Sequence, residues 1–141
     1  MGKVMIIVAL LFSCLLVSHE VKAKFDVPTV KETNHWKIEL LEPDKNVLQS
    51  EPGKFELYAL KVTNKENNAY NMSLDVFRNE NGSNKMYGLA PQIRNKEVKK
   101  DDTFKFENLP IKADTEKLEI VITWEDEPVG RRYKETFLLN P

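Results

Sequence analysis

The chain has 141 residues, about the size of one domain, and 41% of them are apolar while 30% are charged. This composition supplies enough apolar surface for one core. The formal net charge is −1, and acidic and basic residues are mixed along the chain. Nucleic-acid-binding proteins carry a concentrated basic stripe. The composition therefore argues against a disordered chain and against a nucleic-acid partner.

The N-terminal segment predicts export. Lys3 precedes a nearly unbroken apolar run over residues 4–17. The run is shorter than the roughly 20 residues that a membrane-spanning helix needs, and a polar stretch follows it, as in a signal peptide. We therefore expect residues 1–23 to be a signal peptide that is cleaved between Ala23 and Lys24, leaving a secreted or cell-envelope-associated protein.

Two other interpretations of this segment stay open. In one, Cys14 is the lipidated first residue of a lipid-anchored envelope protein. In the other, the segment is retained as an anchor, and in either case it is the only predicted membrane contact. Cys14 is the only cysteine of the chain, so the cleaved protein would contain no disulfide. Small secreted animal domains usually depend on disulfides, so we expect a bacterial protein.

Beyond the signal segment, the chain is predicted to form one domain of β-strands. Residues 24–34 are polar and are predicted to be a flexible lead-in to a domain over residues 35–141. Within this domain, apolar and polar residues alternate in short stretches that turn-forming residues separate. The predicted strands cover residues 36–40, 54–62, 70–76, 103–111, 118–124 and 131–139. Residues 86–93 are predicted to be a short edge strand or a loop, because Gly88 and Pro91 suit a central strand poorly.

Two antiparallel hairpins are predicted between consecutive strands. One joins the second and third strands through the Asn-rich residues 64–68. The other joins the last two strands through residues 125–130. The dipeptide Asn81-Gly82 predicts a further tight turn with positive φ.

The spacing of the strands, without a helical crossover, predicts an all-β fold. We expect a small immunoglobulin-like two-sheet sandwich of about 6–7 antiparallel strands, with a small barrel as the alternative. The predicted core consists of Trp36, Ile38, Leu40, Tyr58, Leu60, Val62, Met72, Leu74, Val76, Phe104, Phe106, Leu118, Ile120, Ile122, Trp124, Tyr133 and Phe137.

No constellation of residues predicts an enzyme. Outside the signal segment, His35 is the only histidine, and we interpret it as a surface residue beside Trp36 rather than as a catalytic base. A catalytic zinc ion needs three protein ligands, commonly histidines, and a phosphate-binding loop needs clustered glycines. We expect no catalytic residue, no metal and no cofactor.

Charged clusters are interpreted as surface charge. Asp101-Asp102 and Glu125-Asp126-Glu127 lie in predicted turns, where carboxylates are normally solvated rather than arranged for acid–base chemistry or calcium binding.

Basic residues cluster at Lys96 with Lys99-Lys100 and at Arg131-Arg132. We interpret them as charges on exposed strand edges, which discourage aggregation, rather than as a binding site for an anionic partner.

The runs over residues 55–62 and 70–77, the Asn-rich turn between them and the closing strand over residues 120–124 resemble immunoglobulin-like domains of bacterial exported proteins. With no catalytic site predicted, we expect a non-catalytic interaction module of the cell envelope or medium. It would bind a protein or a cell-wall component through sheet edges or end loops. The alternative is an inhibitor of an extracellular hydrolase, acting through a loop at residues 79–91.

Overall fold

The computed structural model describes residues 24–44, 48–51 and 53–141, without the side chains of residues 90–92. The strands are β1 (Thr29–Glu32), β2 (Trp36–Leu41), β3 (Phe55–Asn64), β4 (Ala69–Asn79), β5 (Met86–Val98), β6 (Thr103–Lys112), β7 (Leu118–Glu125) and β8 (Arg132–Leu139). They form two antiparallel sheets, in the orders β1-β2-β3-β6 and β5-β4-β7-β8. The predicted all-β sandwich is confirmed, with eight strands in the described residues instead of six or seven.

Period-two alternation builds the core between the two sheets. In β7, Leu118, Ile120 and Ile122 are fully buried, because alternate side chains of a strand point to the same face. Most of the predicted core is confirmed in the same way. Burial of each large apolar side chain contributes roughly 1.5 to 3 kcal/mol before entropy is counted. Among the described residues, no helix is long and apolar enough to span a membrane.

Strand β6 changes its inward face partway along its length. Phe104 and Phe106 are only partly buried against the core, whereas Leu109 and Ile111 are almost fully buried. The register of β3 and β6 shifts between the pairs Tyr58↔Leu109 and Leu60↔Phe106. A bulge of this kind reverses which side chains point inward. The prediction that the phenylalanines are core residues is therefore only partly right, and Leu109 and Ile111 were missing from the predicted core.

Residues 24–34 are part of the fold and not a loose lead-in. β1 pairs with β2 over its whole length. Phe25 is 2% exposed, and its ring packs edge-to-face on Tyr58 with 6.0 Å between the ring centroids. The backbone N–H of Phe25 also donates to the Tyr58 hydroxyl at 3.2 Å. The largely polar composition of the segment hid this anchoring side chain, together with Val27, which also packs against the core.

The predicted hairpin between β3 and β4 is wrong, because the two strands lie in different sheets. β4 pairs with β5 and β7, so the turn at residues 65–68 crosses from one sheet to the other. The buried Asn64 fixes this crossing, since its side-chain amide donates to the carbonyl oxygens of Asn67, Val98 and Lys99. By contrast, the predicted hairpin of the last two strands is confirmed.

Strand β5 lies at the edge of the second sheet, as predicted, but it has 13 residues and is neither the short strand nor the loop that the sequence predicted. Residues 79–91 lie mostly in β4 and β5, which leaves only a short turn at residues 80–85. Gly82 has φ of 71° in this turn, as the dipeptide predicted. The long loop required by the inhibitor hypothesis is therefore not formed by this segment.

Four turns meet at one end of the sandwich, which we call the four-turn end: residues 33–35, 65–68, 99–102 and 126–131. Backbone hydrogen bonds join three of them through the pairs Lys65 N to His35 O, Asp101 N to Asn64 O and Asn64 N to Asp102 O, at 2.7, 2.8 and 3.1 Å. The first turn is also tied to β8, because the Thr33 hydroxyl donates to the Glu135 carboxylate at 2.7 Å.

Candidate functional site: the hairpin tip

The turn between β7 and β8, residues 126–131, presents an apolar side chain to solvent, and we call it the hairpin tip. Gly130 N–H donates to the Glu127 carbonyl at 3.1 Å, which places Pro128 and Val129 at the centre of a tight turn. Val129 is 97% exposed. Single exposed apolar residues are ordinary on protein surfaces. The contacts that hold this one in place make the tip a candidate recognition site.

Asp126 holds the base of the tip with both carboxylate oxygens. Its Oδ1 accepts from the backbone N–H of Arg131 at 2.9 Å, and its Oδ2 accepts from the Tyr133 hydroxyl at 3.0 Å. The second of these bonds raises the pKa of Tyr133 above its ordinary value. Asp126 was predicted to be a solvated turn carboxylate, but the structure gives it a bracing role.

Asn71, in the neighbouring strand β4, braces the tip from the side. Its side-chain amide donates to the Pro128 carbonyl at 3.0 Å and to the Glu125 carboxylate at 2.7 Å. Asn71 has φ of 47° and lies where the register of β4 and β7 shifts. A bulge re-aims a side chain, and asparagine is one of the few residues that adopt this left-handed conformation readily.

An aromatic stack supports the tip from below. The Tyr133 ring is stacked on the Trp124 ring with 5.6 Å between their centroids. The Arg131 guanidinium lies 5.4 Å from the centroid of the Tyr133 ring. Trp124 in turn meets Trp36 edge-to-face at 5.5 Å in the core. The tip is thus connected to the interior of the sandwich through packed rings.

His35 belongs to this stack: it lies beside Trp36, as predicted, but it is mostly covered rather than a surface residue. Its ring lies 4.7 Å from the Trp124 ring and 5.5 Å from that of Trp36, and its side chain is only 18% exposed. Nδ1 lies 3.2 Å from the Glu66 carboxylate. The sequence could not show this burial, because Trp124 comes from a strand of the other sheet.

Gly130 is required by the close approach of the chain to itself. A Cβ atom at this position would overlap the Asp126 carboxylate and would lie 2.8 Å from the Glu127 backbone nitrogen. Any larger residue would therefore displace the carboxylate that holds Arg131 and Tyr133.

The other predicted acidic cluster also has a structural part. The Asp102 carboxylate accepts from the Lys99 backbone N–H at 2.8 Å, and Asp101 has φ of 67° in the same turn. Beside the tip, Glu125 pairs with Arg132 at 3.4 Å, while Glu127 is exposed. In the part of the chain that the structure describes, no three acidic, histidine or cysteine side chains are grouped for metal binding.

The basic residues are distributed between an edge and a turn. Lys96 is exposed on the edge strand β5, and Lys99 and Lys100 lie in the turn between β5 and β6. The predicted signal segment, with its cleavage residue Ala23 and the alternative lipidation residue Cys14, lies outside the described residues, which begin at an exposed Lys24.

Comparison with protein families identifies most of the chain. Residues 20–141 match the family described as YozF-like secreted protein. Comparison with curated proteins and with solved structures gave no match. The family description agrees with the predicted extracytoplasmic location. The chain belongs to the YozF-like secreted protein family and is an exported protein.

Proposed function

We propose that this secreted protein is a non-catalytic binding module of the bacterial envelope or medium, and that it inserts the hairpin tip into an apolar depression of a partner protein. One observation carries the proposal: Val129 is almost completely exposed on a turn that Asn71 and Asp126 hold from two sides.

The bracing favours recognition, because ordering a loop on binding opposes association. A loop that is already held in one conformation loses less entropy when its partner arrives. Valine adds little to that loss, since its branched side chain has few rotamers. An apolar side chain at the end of a rigid hairpin can therefore anchor a partner with a small contact area.

The use of the polar groups around the tip supports a non-catalytic role. Both oxygens of Asp126 bind groups of the same hairpin. Nδ1 of His35 faces Glu66, and its ring is held between tryptophans. Groups that act as acids or bases must reach a substrate proton. The Asp126 carboxylate and the His35 ring instead contact the protein's own backbone and aromatic rings.

The connectivity supports an immunoglobulin-like interpretation of the sandwich. The sheet of β1, β2, β3 and β6 faces a sheet of β5, β4, β7 and β8, and the chain crosses between the sheets after β3, after β5 and after β6. In sandwiches of this kind, recognition loops cluster at one end. The hairpin tip is one of the turns of the four-turn end.

Site-specific photo-crosslinking tests this proposal. A photoreactive amino acid replaces Val129 in the secreted protein, which is added to cells that produce it. The matched control carries the same group at Leu48, which is 77% exposed and lies in the connection between β2 and β3, away from the four-turn end.

We expect one cross-linked protein from position 129 and not from position 48. Excess unlabelled wild type should compete for it, whereas excess Val129→Asp should not, because a carboxylate resists transfer into an apolar depression. The proposal is wrong if both positions give the same products, if position 129 gives none, or if Val129→Asp competes as well as the wild type.

A further inference from the structure

Strand β8 is the most regular free edge among the described residues. It lies at the end of its sheet and pairs with β7 through eight consecutive residue pairs without a register shift. The other edges are less suitable for a further strand. β1 has four residues, and the pairings of β5 and β6 both contain register shifts.

The hairpin geometry identifies which backbone groups of β8 point away from β7. Asp126 N–H donates to the Arg131 carbonyl, so these two residues form a hydrogen-bonded pair. Hydrogen-bonded and non-hydrogen-bonded pairs alternate along an antiparallel ladder. Counting from Arg131, the residues whose N–H and C=O groups point toward the free edge are Arg132, Lys134, Thr136 and Leu138.

The side chains of these same residues lie on the outer face of the sheet, because Phe137 and Leu139 on the alternate positions are buried. Lys134 is exposed and forms no ion pair with the described residues. Arg132 is largely exposed beside Glu125, and Leu138 is 48% exposed. A strand added here would meet two cations, then a threonine, then an apolar side chain.

We propose that β8 binds an extended segment of a partner protein by antiparallel strand addition. Acidic residues of that segment lie opposite Arg132 and Lys134, and an apolar residue lies opposite Leu138. Backbone hydrogen bonds supply general affinity in this mode, and cross-strand side-chain pairs supply selectivity. From its N-terminus to its C-terminus, the segment carries one apolar, one β-branched and then two acidic residues at alternate positions.

The charges favour such a segment over a second copy of this chain. The outward positions of β8 hold no acidic residue, so pairing β8 with itself would bring no opposite charge to Lys134, and none to Arg132 beyond its neighbour Glu125. This surface is separate from the side chain of Val129, and each can be removed without the other.

The test uses an end-blocked synthetic peptide with leucine, valine, glutamate and glutamate at alternate positions, separated by serines. Its binding to the whole secreted protein is measured by NMR titration. Lys134→Glu should weaken binding about tenfold, because an attractive cross-strand pair becomes a repulsive one. It should also make the protein prefer a peptide with lysine in place of glutamate. The matched control is Lys96→Glu, an exposed lysine on the opposite edge strand, which should change nothing.

A second variant tests strand addition itself. Thr136→Pro removes an N–H group that points away from the sheet, a position where an edge strand tolerates proline. It should abolish binding of both peptides, while the amide spectrum of β4 and β7 shows an intact fold. Val129→Asp should leave peptide binding unchanged, which separates this inference from the proposed role of the tip.

Three results would overturn the inference. The first is no binding of the acidic peptide to the wild type up to about 1 mM, the upper range of weak association. The second is an equal effect of Lys134→Glu and Lys96→Glu. The third is undiminished binding by a folded Thr136→Pro variant.

Discussion

The side-chain amide of Asn71 donates a hydrogen bond of 3.0 Å to the carbonyl oxygen of Pro128, which lies 57 positions later in the chain. A bulge in β4 and a turn between β7 and β8 are thereby made parts of one structure. The bulge interrupts regular pairing within the sheet, and it lets Asn71 hold the turn that displays Val129 through a hydrogen bond.

Replacing Asn71 separates the bracing from the backbone strain. Asn71→Gly should loosen the tip with little loss of stability, since glycine adopts the positive φ freely. Asn71→Ala should loosen it equally and destabilise the fold by about 1 kcal/mol more, because the left-handed conformation disfavours a Cβ. Amide order parameters of Val129 and urea unfolding measure the two effects. An unchanged order parameter in both variants would show that Asn71 does not hold the tip.

Gly130→Ala should disrupt the base of the tip. The new Cβ would displace the Asp126 carboxylate and free the Tyr133 hydroxyl. We expect a loss of about 1–3 kcal/mol and a fall in the pKa of Tyr133 toward its ordinary 10.0, seen in an ultraviolet titration. Gly88→Ala is the control, because its Cβ would come no closer than 3.9 Å to Phe77. Equal melting temperatures for the two variants would contradict the role of Gly130.

Phe25→Ala should destabilise the domain by about 3 kcal/mol, as expected when a buried ring is replaced by a methyl group. The cavity would open beside Tyr58, whose hydroxyl accepts the Phe25 N–H. Val30→Ala, at a position that is 45% exposed in the following strand, should cost about 0.5 kcal/mol or less. Chemical unfolding measures both. Similar values would mean that residues 24–28 are not anchored in solution.

Acid should weaken the outer face of the first sheet. Glu39 lies 3.0 Å from the Lys37 ammonium and 3.4 Å from that of Lys61. Partial burial alone would raise the pKa of Glu39, but the hydrogen bonds and charges of the two lysines outweigh it and hold the pKa below its ordinary 4.5.

A depressed pKa in the folded state gives a stabilising contribution that is complete above about pH 4.5 and is lost as the pH falls through the folded value. Lys61→Met should raise the pKa of Glu39 and reduce this acid-dependent loss. Carboxyl NMR titration and unfolding between about pH 5 and 3 measure the two quantities. Lys31→Met, which alters an exposed lysine of β1, is the control. A carboxyl titration unchanged by Lys61→Met would exclude the pairing.

The strands and their inward faces were predictable because their signal is local. Ile120, Ile122 and Trp124 alternate with polar or outward residues, and they are buried as predicted. The final hairpin was predictable for the same reason, since its two strands are joined by a short turn. The turn chemistry at Gly82 is also a property of neighbouring residues.

The misassigned elements depend on distant partners. His35 is polar, but Trp124 and Trp36 cover it. Phe25 and Val27 lie in a largely polar segment, so no periodic pattern marked Phe25 as core. The candidate site was predictable only in part. Residues 125–130 were predicted to be a turn, but no sequence pattern indicated that Asn71 would contact it.

Alternation of apolar and polar residues is sufficient to establish that this chain forms strands with one buried face each, because that pattern acts within every strand separately. It does not establish which strands become neighbours, since β3 and β4 could have closed a hairpin and instead entered different sheets. Strand pairing depends on burying all the inward faces together, and the free energy of that burial is a sum over contacts between residues distant in the chain. These long-range contacts bring Asn71 to Pro128, so that the turn between β7 and β8 becomes a braced, exposed tip.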